Sequence, residues 1–122
     1  MKLHASTPSG VQLVTAYGED YVVVNGVRHQ ESIVLLPSRV VDWGGHAFDT
    51  LTREDFRFLG ALEAEIVLLG TGARQRFPHP QLTSALTQAR IGLEVMDVQA
   101  ACRTYNILVA EERRVAAALL FE

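Results

Sequence analysis

The stretch "LLGTGARQRF", residues 68–77, holds the residues whose types and spacing come nearest to chemistry. An apolar run ends on Gly70-Thr71-Gly72, and Arg74 and Arg76 follow within one turn's reach. Glycines let a backbone approach an anion closely, and a hydroxyl and two guanidinium groups add donors and charge. Asp97 closes the next apolar run, roughly where a ribose-binding acid follows the glycines of a dinucleotide site. Tyr105 and Asn106 supply further polar side chains for the wall of such a pocket. Ligands of open α/β sheets bind beyond the carboxyl ends of strands, so an anion pocket at Gly70–Gly72 is one reading.

The motif is incomplete. A Walker loop needs GxxxxGK followed by Ser or Thr, and no Lys or hydroxyl residue stands where that pattern requires it. A dinucleotide fingerprint needs a third glycine where this chain has Gln75, and "ARQRFPHP" separates the turn from the next helical pattern. The plainer reading makes Gly70 and Gly72 the tight exit from a buried strand, and Asp97 the cap of a helix.

Other reactive side chains form no constellation. His4, His29, His46 and His79 share no metal-ligand spacing, and no Cys/His cluster exists. Cys102 falls on an apolar helix face, where a thiol acts as a small hydrophobe rather than a nucleophile. No Ser lies in GxSxG, and the pairs Glu54-Asp55 and Glu111-Glu112 read as a helix start and a solvated turn. Trp43, before Gly44-Gly45, reads as a core anchor. The balance is against an enzyme, and neither a cofactor nor a metal is expected.

The elements that must position these residues follow from periodicity. "VQLVTAY" (11–17) reads as a strand, and "YVVVNGVRH" (21–29) as a hairpin with Asn25-Gly26 in a type I′ turn. "SIVLLPSRVVDW" (32–43) reads as one longer extended segment, with Pro37 at a bulge or edge because it lacks a ladder N–H. Thr52 suits an N-cap for a helix from about 53 to 62, with Glu54 and Asp55 complementing its dipole and Phe56, Leu59 and Leu62 on one face. "EIVLLG" (65–70) is continuously apolar, as in a strand covered on both faces. "PHPQLTSALTQARIG" (78–92) reads as a helix with Pro80 in its first turn and Gly92 just past its end. "LEVMD" (93–97) is a further strand, and Asp97 caps a helix whose buried face is Val98, Ala101, Cys102 and Tyr105. "EERR" turns the chain into "VAAALLF" (115–121), the final strand.

A β-rich first third followed by alternating helices and strands predicts an α/β fold. The expected form is one compact domain over residues 1–122, with a central, mixed, mostly parallel sheet, helices on its faces and an extra N-terminal β-hairpin. With 122 residues, 48% hydrophobic and 20% charged, the chain is of ordinary globular composition. A net charge of −3 without a basic stripe argues against nucleic-acid binding. The apolar run "VAAALLF" is too short to span a bilayer, "MKLHASTPSG" lacks the apolar core of a signal peptide, and the lone Cys102 suits a reducing compartment. A cytoplasmic location is expected.

The segments "IVLLGTG" (66–72), "GLEVMD" (92–97), "TYNIL" (104–108) and "RRVAAALL" (113–120), in this order and spacing, resemble the Mth-type domain-of-unknown-function family. That family includes uncharacterised bacterial and archaeal proteins, an adipogenesis-associated protein and a mitochondrial assembly factor for respiratory complex I. The likeness covers essentially the whole chain and implies a compact α/β fold, no established reaction and no cofactor. The mitochondrial member implies assembly through protein contacts. The matching positions are Gly70, Thr71 and Gly72, with Thr104, Tyr105 and Asn106. One departure is Glu112, where members commonly place Gly before the last strand; a positive φ there would strain Glu. The function expected is that of a non-catalytic binding or assembly-type protein of the cytosol, acting through protein contacts. The alternative is a binder of, or enzyme on, a small anion or phosphometabolite at the Gly70–Gly72 strand end. A self-associating structural protein, a homo-oligomer, is the third.

Overall fold

The computed structural model describes residues 10–121. Three short strands, β1 (Val14–Tyr17), β2 (Val22–Val24) and β3 (Val27–His29), form an antiparallel sheet in that order. The β2–β3 turn has positive φ at Asn25 (47°) and Gly26 (86°), the backbone a type I′ hairpin requires. Asn25 also accepts from Leu13 N–H (3.1 Å) and donates to the Val11 carbonyl (2.8 Å). One residue thus shapes the turn and fastens the chain entering β1.

The second sheet has five strands: β4 (Ile33–Leu35), β5 (Val40–Asp42), β6 (Ile66–Thr71), β7 (Gly92–Met96) and β8 (Val115–Leu120), in the order β5-β4-β8-β6-β7. β6 runs parallel to both β7 and β8, whereas β4 is antiparallel to β5 and β8. The mixed sheet and the N-terminal hairpin are as expected. Residues 32–43 differ: they are two strands rather than one. Leu36 and Arg39 exchange backbone bonds of 2.9 and 3.3 Å across Pro37-Ser38, so proline occupies a hairpin turn rather than a bulge. Its fixed φ and missing N–H suit a turn, where no ladder donor is lost.

Among the described residues three α-helices cover the sheet: α1 (Arg53–Gly60), α2 (Ser84–Gln88) and α3 (Val98–Ala110). α1 begins on a capping box in which Thr52 accepts from Asp55 N–H and Asp55 accepts from Thr52 N–H. α2 is far shorter than residues 78–92. His79 and Pro80 belong to a turn closed by Leu82 N–H to His79 O (2.9 Å) and Thr83 N–H to Pro80 O (3.2 Å). Gly92 is the first residue of β7, and the left-handed residue ending α2 is Arg90 (φ 58°). Ile91 N–H reaches back to Leu86 O and Arg90 N–H to Thr87 O, a Schellman closure built on arginine rather than glycine.

The core has one part on each face of the five-stranded sheet. Leu68, Val115, Ala117 and Leu119 face α3 and the N-terminal sheet, together with Val98, Ala101, Cys102 and Tyr105. Val67, Leu69, Ala116, Ala118 and Leu120 face the other way, towards Trp43, Phe56, Leu59 and Leu86. Alternate residues of a strand point to opposite faces, so covering both makes β8 apolar throughout and β6 apolar up to Thr71. Burying such surface contributes roughly 25 cal/mol per Å² of apolar area.

Candidate functional site

At the carboxyl end of β6 the three residues Gly70, Thr71 and Gly72 have separate tasks. Gly70 is a packing position: a Cβ there would lie 3.1 Å from Ala101 Cβ, Leu119 Cδ2 and Val98 Cα. Only a glycine lets α3 approach β6 this closely. Gly72 makes the turn (φ 84°), and its carbonyl accepts from Val98 N–H at 2.8 Å.

Thr71 is fully buried and polar. Its hydroxyl donates to the Arg74 carbonyl (2.6 Å), lies 3.3 Å from the Met96 carbonyl and accepts from Arg76 N–H (3.0 Å). Those bonds fold "ARQR" back over the strand end. Arg76 Nη2 donates to the Thr71 carbonyl (3.2 Å), and its guanidinium stands 4.6 Å from the Phe48 ring centre. Arg74 is exposed. Asp97, half-buried, caps α3 by accepting from Ala100 N–H at 2.9 Å. Its carboxylate therefore occupies the helix N-terminus, where a bound anion would otherwise gain from the dipole.

Six of the sequence-derived residues, Gly70, Thr71, Gly72, Arg74, Arg76 and Asp97, thus meet around one strand end. Tyr105 and Asn106 do not join them. They lie further along α3 and face the N-terminal segment. Tyr105 is fully buried, and its hydroxyl donates to the Gln12 carbonyl at 2.8 Å. Asn106 accepts from Val14 N–H (3.0 Å) and donates to Val14 O (2.7 Å), pairing with β1 as a strand backbone would. Burial raises the Tyr105 phenol and pushes the Cys102 thiol up to about 12, which keeps both neutral near pH 7.

The structure also assembles a cluster with no signature in the sequence. His46 stacks on Trp43 (centroids 4.9 Å apart, planes 9° off parallel) and bonds Asp55 through Nε2 at 2.7 Å. Its Nδ1 contacts the Trp43 carbonyl, and Ser32 donates to the His46 carbonyl at 2.6 Å. Asp55 was legible only as a charge in the first turn of α1; its partner His46 comes from a glycine-rich loop that no local pattern places. The cluster fastens that loop to α1, and the Ser32 hydroxyl meets backbone rather than the imidazole. Glu65 and Arg113 make an exposed ion pair (2.8 Å), which lowers the carboxyl and raises the guanidinium through their mutual hydrogen bond. His4 lies outside the described residues, and among those described no group of His, Cys, Asp and Glu could hold a metal ion. No helix among them is long and apolar enough to cross a membrane.

Comparison with known proteins places these features. A family model described as "Protein of unknown function (DUF498/DUF598)" matches residues 14–120. The bovine NADH dehydrogenase (ubiquinone) 1 alpha subcomplex assembly factor 3 is 38% identical over 109 residues, 88% of this chain and 59% of the relative. The mouse protein of the same name is 36% identical over 120 residues, 97% of this chain and 64% of the relative. The chain thus spans about three fifths of the length of these curated relatives. A crystal structure of a Bordetella parapertussis protein superposes with a TM-score of 0.87 at 40% identity, covering 94% of this chain and all of that one. A Bordetella pertussis structure described as a Mth938-like domain gives 0.83 at 34% identity, covering 98% and 92%. A more distant Francisella tularensis relative, 24% identical over 85% of this chain and 86% of its own, is named a 13 kDa major membrane protein. The chain belongs to the DUF498/DUF598 family of proteins of unknown function, which is the family that its strand-end and α3 segments resemble.

Proposed function

We propose that this domain is an assembly-type protein that acts by contact with other proteins and not by turnover. The observation that carries the reading is the name shared by its curated relatives, NADH dehydrogenase assembly factor 3, at 35–38% identity in four mammals. The polar chemistry of the chain supports it. Thr71, Asp97, Tyr105 and Asn106 are each spent on bonds that hold the fold together. In this reading the domain works from the cytoplasm and docks on subunits of a membrane-bound respiratory complex. A peripheral role of that kind would also leave a small protein in membrane fractions, as the name of the Francisella relative suggests.

The test is genetic and quantitative. Deleting the gene in its host should lower the amount of fully assembled NADH dehydrogenase on native gels, with subassemblies accumulating, and wild-type protein should restore it. Unchanged assembly in the deletion strain would remove the basis of the reading. Thermal-shift screening against phosphate, nucleotides and phosphorylated metabolites addresses the alternative of an anion site at Gly70–Gly72 directly. A shift abolished by Arg74→Ala with Arg76→Ala would favour a small-anion function instead.

A further inference from the structure

β7 is the terminal strand of the five-stranded sheet, so one of its edges faces away from β6. The register shows which backbone groups lie on that side. Gly92 N–H donates inward to the Glu65 carbonyl (3.1 Å), and the Met96 carbonyl meets the Thr71 hydroxyl (3.3 Å). Even-numbered positions therefore turn their backbone groups towards β6, and Leu93 and Val95 turn theirs outward. The Val95 carbonyl confirms this, because Gln75 Nε2 caps it from the outer side at 2.8 Å. Among the described residues no backbone group pairs with Leu93 or Val95 on that edge.

Natural sheets protect such edges with charge, proline or a covering loop. Here the cover is partial. A cleft of about 450 Å³ runs beside the strand, lined by Phe77, Pro78, Pro80, Leu93, Glu94 and Val95 among others. Phe77 is 70% exposed, more than any other large hydrophobic side chain described. Glu94, exposed on the opposite face from Leu93 and Val95, is the one ionisable residue of the lining.

We propose that the outer edge of β7 is a docking site for an extended segment of a partner protein, which adds a strand beside Leu93–Val95 and sets a basic residue against Glu94. The outward N–H groups of Leu93 and Val95 and the Leu93 carbonyl call for an extended backbone, the pattern of strand addition. Phe77 with its two prolines offers a rigid apolar wall for a β-branched or aromatic side chain of that segment. The lone carboxylate selects a cation across the pair. A second copy of this chain is the poorer occupant: two β7 edges paired antiparallel would bring both Glu94 carboxylates onto one face of the joined sheet, where like charges repel.

This proposal rests on the assembly reading and gives it a surface. The test is selection of a displayed library of random seven-residue peptides on the full chain. Enriched peptides should alternate β-branched or aromatic residues and carry Lys or Arg at one position. Their binding should weaken about fivefold in Glu94→Lys and recover when the peptide's basic residue is made acidic. Their complexes should protect the Leu93 and Val95 amides from hydrogen exchange. Three results would overturn the site: no enriched peptide, binding unaffected by both Glu94→Lys and Phe77→Ser, or a wild-type dimer in sedimentation that Phe77→Ser dissociates. Both substitutions are at exposed positions, so the fold should survive them. The host assay separates the two claims. If deletion impairs complex assembly and the double variant restores it fully, the edge is not the docking surface and the assembly role stands. If deletion has no effect, the assembly role fails whatever the edge binds.

Discussion

Helix α3 joins the rest of the protein differently at its two ends. In its first turns Val98 and Ala101 sit directly over Gly70, where their side chains are held by shape and apolar area and one backbone bond, Val98 N–H to the Gly72 carbonyl, joins the helix to the strand end. Further on, Tyr105 and Asn106 hold Gln12 and Val14 by three hydrogen bonds, tying the separate N-terminal sheet to the helix. Contact packing is non-directional and is felt through volume, whereas a buried polar tether fails abruptly when one partner is removed. The two ends should therefore respond differently to substitution. One substitution should lower the stability of the whole domain, and another should release a single sheet.

The largest effect should come from a condition that attacks both ends at once. Cys102 lies on the contact face and Tyr105 in the tether, and burial raises both acids, the thiol from 9.0 to about 12. The folded state favours the neutral form of each, so the stability they contribute is fully present below the unfolded value. It is lost as pH climbs through the folded one. Urea midpoints should be flat to about pH 9 and fall steeply towards 12. Cys102→Ala and Tyr105→Phe should each take away part of that slope. A double variant as alkali-sensitive as wild type would show that burial of these two groups is not the cause.

Breaking the tether alone should cost nearly as much. Asn106→Leu strands the N–H and the C=O of Val14, and two unpaired groups at about 1–3 kcal/mol each, partly solvated here, should total about 2–4 kcal/mol. The sharper readout is regional. Amide exchange should accelerate in β1 and β2 while β6 and β8 keep their protection, and uniform acceleration would contradict the two-ended view. Overpacking the contact end should cost less, and everywhere. Gly70→Ala puts a methyl 3.1 Å from the Val98 Cα, a backbone atom that cannot swing aside. Such insertion should cost about 1–3 kcal/mol and lower the protection of both sheets together.

The contrast also explains what could be read from the residues. The buried face of α3, Val98, Ala101, Cys102 and Tyr105, was legible because helical periodicity is local, and all four are buried. The Asn25-Gly26 hairpin was legible for the same reason: one dipeptide meets the whole steric requirement. The tether was not, because Asn106 and Val14 lie 92 residues apart and no local pattern announces their bond. Tyr105 and Asn106 were therefore grouped with the strand end by chemistry alone, when topology turns them away from it. The hairpin at Pro37 and the short extent of α2 were not legible locally. An apolar stretch with one proline reads alike as a bulged strand or a hairpin, and a stripe of Leu and Ala does not say how many of its turns will close.

The smallest effect should appear where the helix leaves its tether. α3 ends in a Schellman closure, with Glu112 N–H to Val109 O at 2.9 Å and Arg113 N–H to Leu108 O at 2.9 Å. The closure requires a left-handed residue, and Glu112 supplies it at φ 61°, as the expected strain at that position demanded. Its Cβ crowds the backbone there, and its carboxylate sits at the negative end of the helix dipole. Glycine would remove both penalties at the cost of some unfolded-state entropy. Glu112→Gly should therefore stabilise the domain by about 0.5–1 kcal/mol, a rise of a few degrees in Tm. Glu112→Ala tests the division between the causes: it removes the charge but keeps the Cβ, so it should recover only the electrostatic part. Equal gains from Ala and Gly would mean that charge rather than backbone strain is what Glu112 costs the closure.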